Sequence, residues 1–132
     1  MNNELAEQMI RSYFKSWVDK DFQAFLSTLH HEAIVRECTG AVIHGRAEHE
    51  RWFLEWNNGH NKVEYWNVKK IGFDQKQSIA CVEWQFACIY DEQQYIWDGV
   101  SIVYFRDSLI IEINEYEMKR DKFYPYRLTP GA

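Results

Sequence analysis

Glu115 stands in line with Leu109, Ile111 and Ile113 on one face of the run Leu109–Lys119, whose alternation predicts a strand. A carboxylate among aliphatic side chains is costly to ionise. Its pKa is therefore expected to rise toward the range where a general acid or base works near neutrality, unless it sits solvated at the rim of the sheet. A second face that could border a cavity is Val82, Trp84, Phe86, Cys88 and Tyr90 in the run Gln77–Tyr90. Metal chemistry finds little support: His30 and His31 are adjacent, and His44 and His49 are five apart, off one helical face. No metal site is expected. Cys38, Cys81 and Cys88 form an odd set without a Cys-x-x-Cys pair and read as buried free thiols. Neither a Gly-x-Ser-x-Gly elbow nor a phosphate-binding or dinucleotide-binding glycine loop is present, which removes most nucleotide chemistry.

The elements that must position these groups follow from changes of period. Leu5, Met9, Tyr13 and Trp17, with Ile10 and Phe14, recur at helical spacing and predict a first helix with one buried side. Asp21 can cap a second, shorter helix carrying Phe22, Phe25, Leu26 and Leu29. Ala33–Thr39 reads as a strand ended by Gly40. A third helix is expected from about Gly45 to Asn57, with Ala47, Trp52, Phe53 and Trp56 as its apolar positions. Beyond His60 come four β-rich runs, Lys62–Phe73, Gln77–Tyr90, Tyr95–Arg106 and Leu109–Lys119. Their short connections can join only antiparallel neighbours. The order is that of one α+β domain, residues 1–132, with three amino-terminal helices against a curved, mostly antiparallel sheet.

Composition bounds the function. Six Trp, eight Tyr and eight Phe exceed what packing 132 residues needs, so some rings are expected to line a pocket. The net charge of −5 with no basic run excludes a nucleic-acid footprint. No apolar stretch is long enough for a membrane span, and the start of the chain does not resemble a signal peptide, so a cytoplasmic location is expected. The run Tyr95–Arg106 is apolar on both faces, with Trp97, Val103 and Phe105 opposite Ile96, Val100, Ile102 and Tyr104. A homodimer through the outer face of the sheet would cover the second set.

The segment Tyr13–Phe25 (YFKSWVDKDFQAF) resembles the opening helix, Asp turn and second helix of SnoaL-like proteins of the nuclear-transport-factor-2-like superfamily. Ile43–Ala47 is similar to the start of that family's third helix. Trp97–Ser101, Phe105–Asp107, Ile111-Glu112 and Glu115-Tyr116 are similar to its closing hairpin. The resemblance implies a cystatin-like cone, a half-barrel wrapped around the helices with a deep pocket, in a group that includes ketosteroid isomerases, polyketide cyclases, epoxide hydrolases and non-catalytic binders. Against the isomerase pattern, Tyr13 falls at the oxyanion-stabilising tyrosine and Glu37 at the carboxylate base. Ser101 replaces the second acid, a departure that leaves a hydroxyl where a stronger donor is expected. Against the cyclase pattern, Glu115 falls at the proton-handling carboxylate. Arg36 could pair with either acid.

Three functions remain open on these residues. One is cofactor-free proton transfer on a hydrophobic carbonyl compound by Glu37 or Glu115 with Tyr13. Another is non-catalytic binding of a small apolar or aromatic ligand. The third is an interaction module that uses the outer face of the sheet to recruit another protein. In the first two, Trp17, Trp84, Phe86, Trp97, Ser101 and Ile113 are the expected ligand contacts, and no cofactor is required.

Overall fold

A computed structural model describes residues 1–128. The helices are α1 (Asn3–Asp19), α2 (Phe22–Thr28) and α3 (Arg46–Trp56). The strands are β1 (Leu29–Arg36), β2 (Val42–His44), β3 (Lys62–Asp74), β4 (Ile79–Tyr90), β5 (Gln93–Arg106) and β6 (Leu109–Met118). They form one curved, unclosed sheet in the order β2-β1-β6-β5-β4-β3, antiparallel except for the parallel β1–β6 pair. No helix among the described residues is long and apolar enough to cross a membrane.

Local chemistry sets the helix ends. Asn2 Oδ1 accepts from the Leu5 N–H at 2.8 Å to start α1, Lys20 closes it in the left-handed region at φ 55°, and Asp21 Oδ1 accepts from the Ala24 N–H at 3.1 Å to start α2. The buried stripe of α1 is Ala6, Ile10, Tyr13, Phe14 and Trp17, and Leu5 is exposed. A strict four-residue row drifts around the helix axis, so the row beginning at Leu5 leaves the contact face at its amino end. In α3, Ala47 is exposed and His49 is buried, its Nδ1 2.7 Å from the Gly45 carbonyl oxygen. That carbonyl gives the imidazole a polar partner, and so permits a histidine where an aliphatic side chain is the usual choice.

The strands depart from simple alternation in instructive ways. β1 begins at Leu29, four residues before the expected Ala33, because α2 ends at Thr28 and the chain passes directly into pairing with β6. It then turns through Glu37–Gly40 into the short β2, an edge strand too brief to read from sequence. Asp91-Glu92 and Asp107-Ser108 all adopt positive φ (52°, 67°, 54° and 61°), the backbone of tight two-residue hairpin turns matched to strand twist. In β6, Tyr104 pairs with Glu112 but Phe105 pairs with Ile110, so Ile111 is an extra, bulged residue. The expected line Leu109-Ile111-Ile113-Glu115 is therefore broken, and Ile110 joins Ile113 and Glu115 on the inner face. Bulges at Glu64 and Lys69 do the same in β3, keeping Val63, Trp66, Val68 and Ile71 inward.

Helices and sheet share one core of Ile10, Tyr13, Phe14, Phe25 and Phe53 against Val82, Trp84, Val103, Ile110 and Ile113. Each such side chain contributes about 1.5–3 kcal/mol on burial. Phe14 stacks on Trp66 at 4.1 Å between ring centroids, fixing α1 to β3. Opposite Trp84 in the β4–β5 ladder lies Gly99, where an added Cβ would fall 2.4 Å from the Tyr116 carbonyl oxygen and 2.6 Å from the Trp84 ring. Neither backbone nor a fully packed indole can yield that distance. Gly99→Ala is expected to destabilise the fold by about 2–3 kcal/mol in a denaturant titration, and an unchanged midpoint would contradict this packing.

Candidate functional site

The concave side of the sheet, α1 and α3 border a cavity of about 510 Å³. α1 contributes Tyr13 and Trp17; the turn after β1 contributes Glu37, Cys38 and Thr39; α3 contributes Trp52 and Trp56. Trp66 comes from β3, Trp84, Phe86 and Cys88 from β4, Tyr95 and Trp97 from β5, and Glu115 from β6. Neighbouring rings meet at steep angles: Trp17 and Trp56 at 88°, Trp66 and Trp84 at 86°, Trp66 and Phe86 at 75°. Phe86 and Trp97, paired across β4 and β5, stack at 5.6 Å. The walls thus turn corners around an open space.

The structure brings Tyr13, Glu37 and Glu115 to this cavity together with Trp17, Trp84, Phe86 and Trp97. Ser101 and Ile113 do not line it. Ile113 is 1% exposed, paired with Val35 and Val103, and belongs to the core. Ser101 is 0% exposed and lies behind the wall, where its Oγ accepts from Trp84 Nε1–H at 2.8 Å and it stands opposite Glu115 in the β5–β6 ladder. A residue expected to touch ligand instead supports the Trp84 wall from behind. Arg36 pairs with neither Glu37 nor Glu115. It turns to the opposite face, where Nη1 reaches Glu112 at 2.7 Å and Asn114 at 3.0 Å.

Sequence reasoning did not assign Trp52, Trp56, Trp66 or Tyr95 to the lining. For Trp52 and Trp56 the signal was their four-residue spacing on α3. Trp66 carried none, because the bulge at Glu64 reverses the phase of β3 ahead of it.

Among the described residues, no lysine, arginine or histidine borders the cavity. Burial raises the Glu115 carboxyl to about 8, the negative charge of Glu37 adds to the rise, and the Ser101 hydrogen bond opposes it. Burial also raises Glu37, against a hydrogen bond donated by the Thr39 hydroxyl at 3.3 Å. The mutual repulsion falls on Glu115 as the last of the two to lose its proton. Tyr13 is raised well above its ordinary value by burial and then by Glu115, so its hydroxyl remains a donor throughout the physiological range. Together they form a proton-holding carboxyl, a second carboxylate and a neutral phenol within one aromatic chamber.

Elsewhere, the ligating atoms of His30, His31 and Glu32 at the start of β1 lie within 4.8 Å of one another. His30 Nδ1 already accepts from the Glu32 N–H at 3.0 Å, its Nε2 is 3.7 Å from Asp107, and none of the three lines the cavity.

The folded state holds the Glu115 proton between its ordinary pKa of 4.5 and about 8, where the unfolded chain has lost it. This contribution to stability is complete below the lower value and is lost as pH rises through the higher one. The wild-type protein is expected to lose on the order of 1–3 kcal/mol across that window, and Glu115→Gln to flatten the curve. Carbon-detected NMR should find one carboxyl titrating near 8; two carboxyls titrating at ordinary values would refute the assignment. Ser101→Ala should cost about 1–3 kcal/mol by leaving the Trp84 N–H without an acceptor, measured by thermal unfolding.

No curated protein matches the sequence. Among solved structures, the chain is similar to an LEH-like epoxide hydrolase from M. tuberculosis, with a TM-score of 0.77, 15% identity, and coverage of 87% of this chain and 84% of that one. It is also similar to an NTF-2-like protein from Burkholderia xenovorans (TM-score 0.73, 19% identity, 96% and 93% covered). A third is a Catenulispora acidiphila protein with a ketosteroid isomerase-like fold, solved in complex with trimethylamine (TM-score 0.70, 12% identity, 82% and 83% covered). At these identities the likeness establishes the cystatin-like cone. The family model described as SnoaL-like domain matches residues 10–113, spanning every element from α1 into β6, and the chain therefore belongs to the SnoaL-like domain family.

Proposed function

We propose that the cavity binds a small hydrophobic carbonyl compound and moves a proton on it without a cofactor, with Glu115 as the acid–base group. The observation that carries this reading is the Glu115 carboxyl, raised to about 8 within an aromatic chamber beside Tyr13 and Glu37 and without a cationic partner. In its ionised form Glu115 would take a proton from the carbon next to the carbonyl. The electron pair moves onto the carbonyl oxygen, to which Tyr13 O–H donates, and protonated Glu115 returns the proton at another atom of the same molecule. Burial, and after it the charge of Glu37, keep the pKa of Glu115 high. Ser101 holds the Trp84 wall in place.

A non-catalytic binder is the second reading, favoured by a lining that is mostly aromatic. An epoxide hydrolase among the fold neighbours gives precedent for an enzyme on this scaffold, and the neighbour solved with trimethylamine for a small organic ligand. Pairing of two copies through the outer sheet face belongs to the same proposal: Val100, Ile102 and Tyr104 are half-buried there beside exposed Tyr116 and Met118.

The test is deuterium exchange from solvent into the α-carbon of a panel of apolar ketones, followed by NMR. Glu115→Gln should slow exchange roughly 10²–10⁴-fold, and Tyr13→Phe roughly 10²–10³-fold. Ketones that bind without exchanging, or exchange that survives Glu115→Gln, would leave only the binder.

A further inference from the structure

We infer that the molecule this cavity takes carries a positively charged amine, protonated or quaternary, seated between the aromatic walls and the carboxyl groups of Glu37 and Glu115. The inference rests on the cavity being the ligand site proposed above and adds the charge of the ligand to it.

Three observations converge. First, among the described residues the lining contains two carboxyl groups and no cationic side chain, and the adjacent Arg36 is engaged with Glu112 and Asn114 on the opposite face. Filling the space with a neutral hydrocarbon would strip water from both acids and supply nothing in return, whereas an ammonium group supplies the missing counter-charge. An anionic ligand would be repelled by the Glu37 carboxylate. Second, the walls are ring surfaces, and an aromatic face carries the negative end of its quadrupole. Trp17 against Trp56 and Trp66 against Trp84 meet near right angles, so their surfaces turn around a space from more than one side. Stacked walls in one plane would offer a cation a single face. Third, the cavity volume of about 510 Å³ suits an organic cation with an apolar body and is generous for a bare metal ion. The acidic chain as a whole, at −5, favours the approach of a cation.

Hydrophobicity and charge can be separated with choline and dimethylbutanol, a pair of one shape in which carbon replaces nitrogen in the neutral member. Titration calorimetry on the full chain should find choline binding tighter by roughly tenfold or more, with tetramethylammonium competing for the same site. In Glu37→Gln/Glu115→Gln, with folding checked by circular dichroism, the preference should shrink to about twofold while the alcohol still binds. Should that variant unfold, Trp97→Leu must weaken choline more than the alcohol. Equal affinity for the two compounds overturns the inference, as does a failure of choline to saturate. Choline binding without ketone exchange would remove the catalytic reading and leave this one standing; exchange on neutral ketones with no preference for choline would do the reverse.

Discussion

The side chain of Trp84 lies across β5 only because residue 99 has no Cβ. Its ring passes within contact of the Gly99 backbone, and its N–H ends on Ser101. From that one arrangement follow the shape of the cavity wall and the setting of Glu115, since Ser101 accepts from the indole and stands opposite Glu115 in the β5–β6 ladder. A core tryptophan, a glycine in the middle of a strand and a buried hydroxyl would each be a local defect alone. Combined, they let a bulky aromatic form part of the core and part of the cavity while leaving no polar atom of that trio unpaired.

Aromatic residues carry two duties in this domain. Trp17 packs against Phe25 and Phe53 in the interior and also borders the cavity; Trp66 stacks on Phe14 outside and meets Trp84 and Phe86 within. The rings that build the site therefore also stabilise the fold, which explains why so small a chain carries so many of them. Acid groups are treated differently on the two faces of the sheet. On the outer face, Asp98 is held below its ordinary pKa by Gln85 and by the charges of Lys69 and Arg120, and Glu112 has Arg36. On the inner face burial raises the pKa values of Glu37 and Glu115, and the charge of Glu37 adds to the rise at Glu115. Carboxyl groups are thus kept ionised at Asp98 by hydrogen bonding and neighbouring cations, and made protonatable inside the cone by loss of water.

Helix starts, strand runs and tight turns were legible in the residues because they are local: Asp21 caps whatever follows it, and Asp107-Ser108 turns the chain regardless of what lies across the sheet. The inner face of β4 was legible for the same reason, since Val82, Trp84, Phe86 and Cys88 alternate without interruption. Tertiary pairing decided the rest. The bulge at Ile111 shifts one aliphatic line out and another in, the bulge at Glu64 brings Trp66 inward, and the parallel β1–β6 pair joins residues far apart in sequence. The sequence by itself determined that an aromatic-lined α+β cone would form and that two carboxylates were available to it. Only the folded chain decided that both border one cavity, that Arg36 leaves them unpaired and that Ser101 stands behind the wall, because strand register and facing are set by partners along the whole ladder and not by any one run of residues.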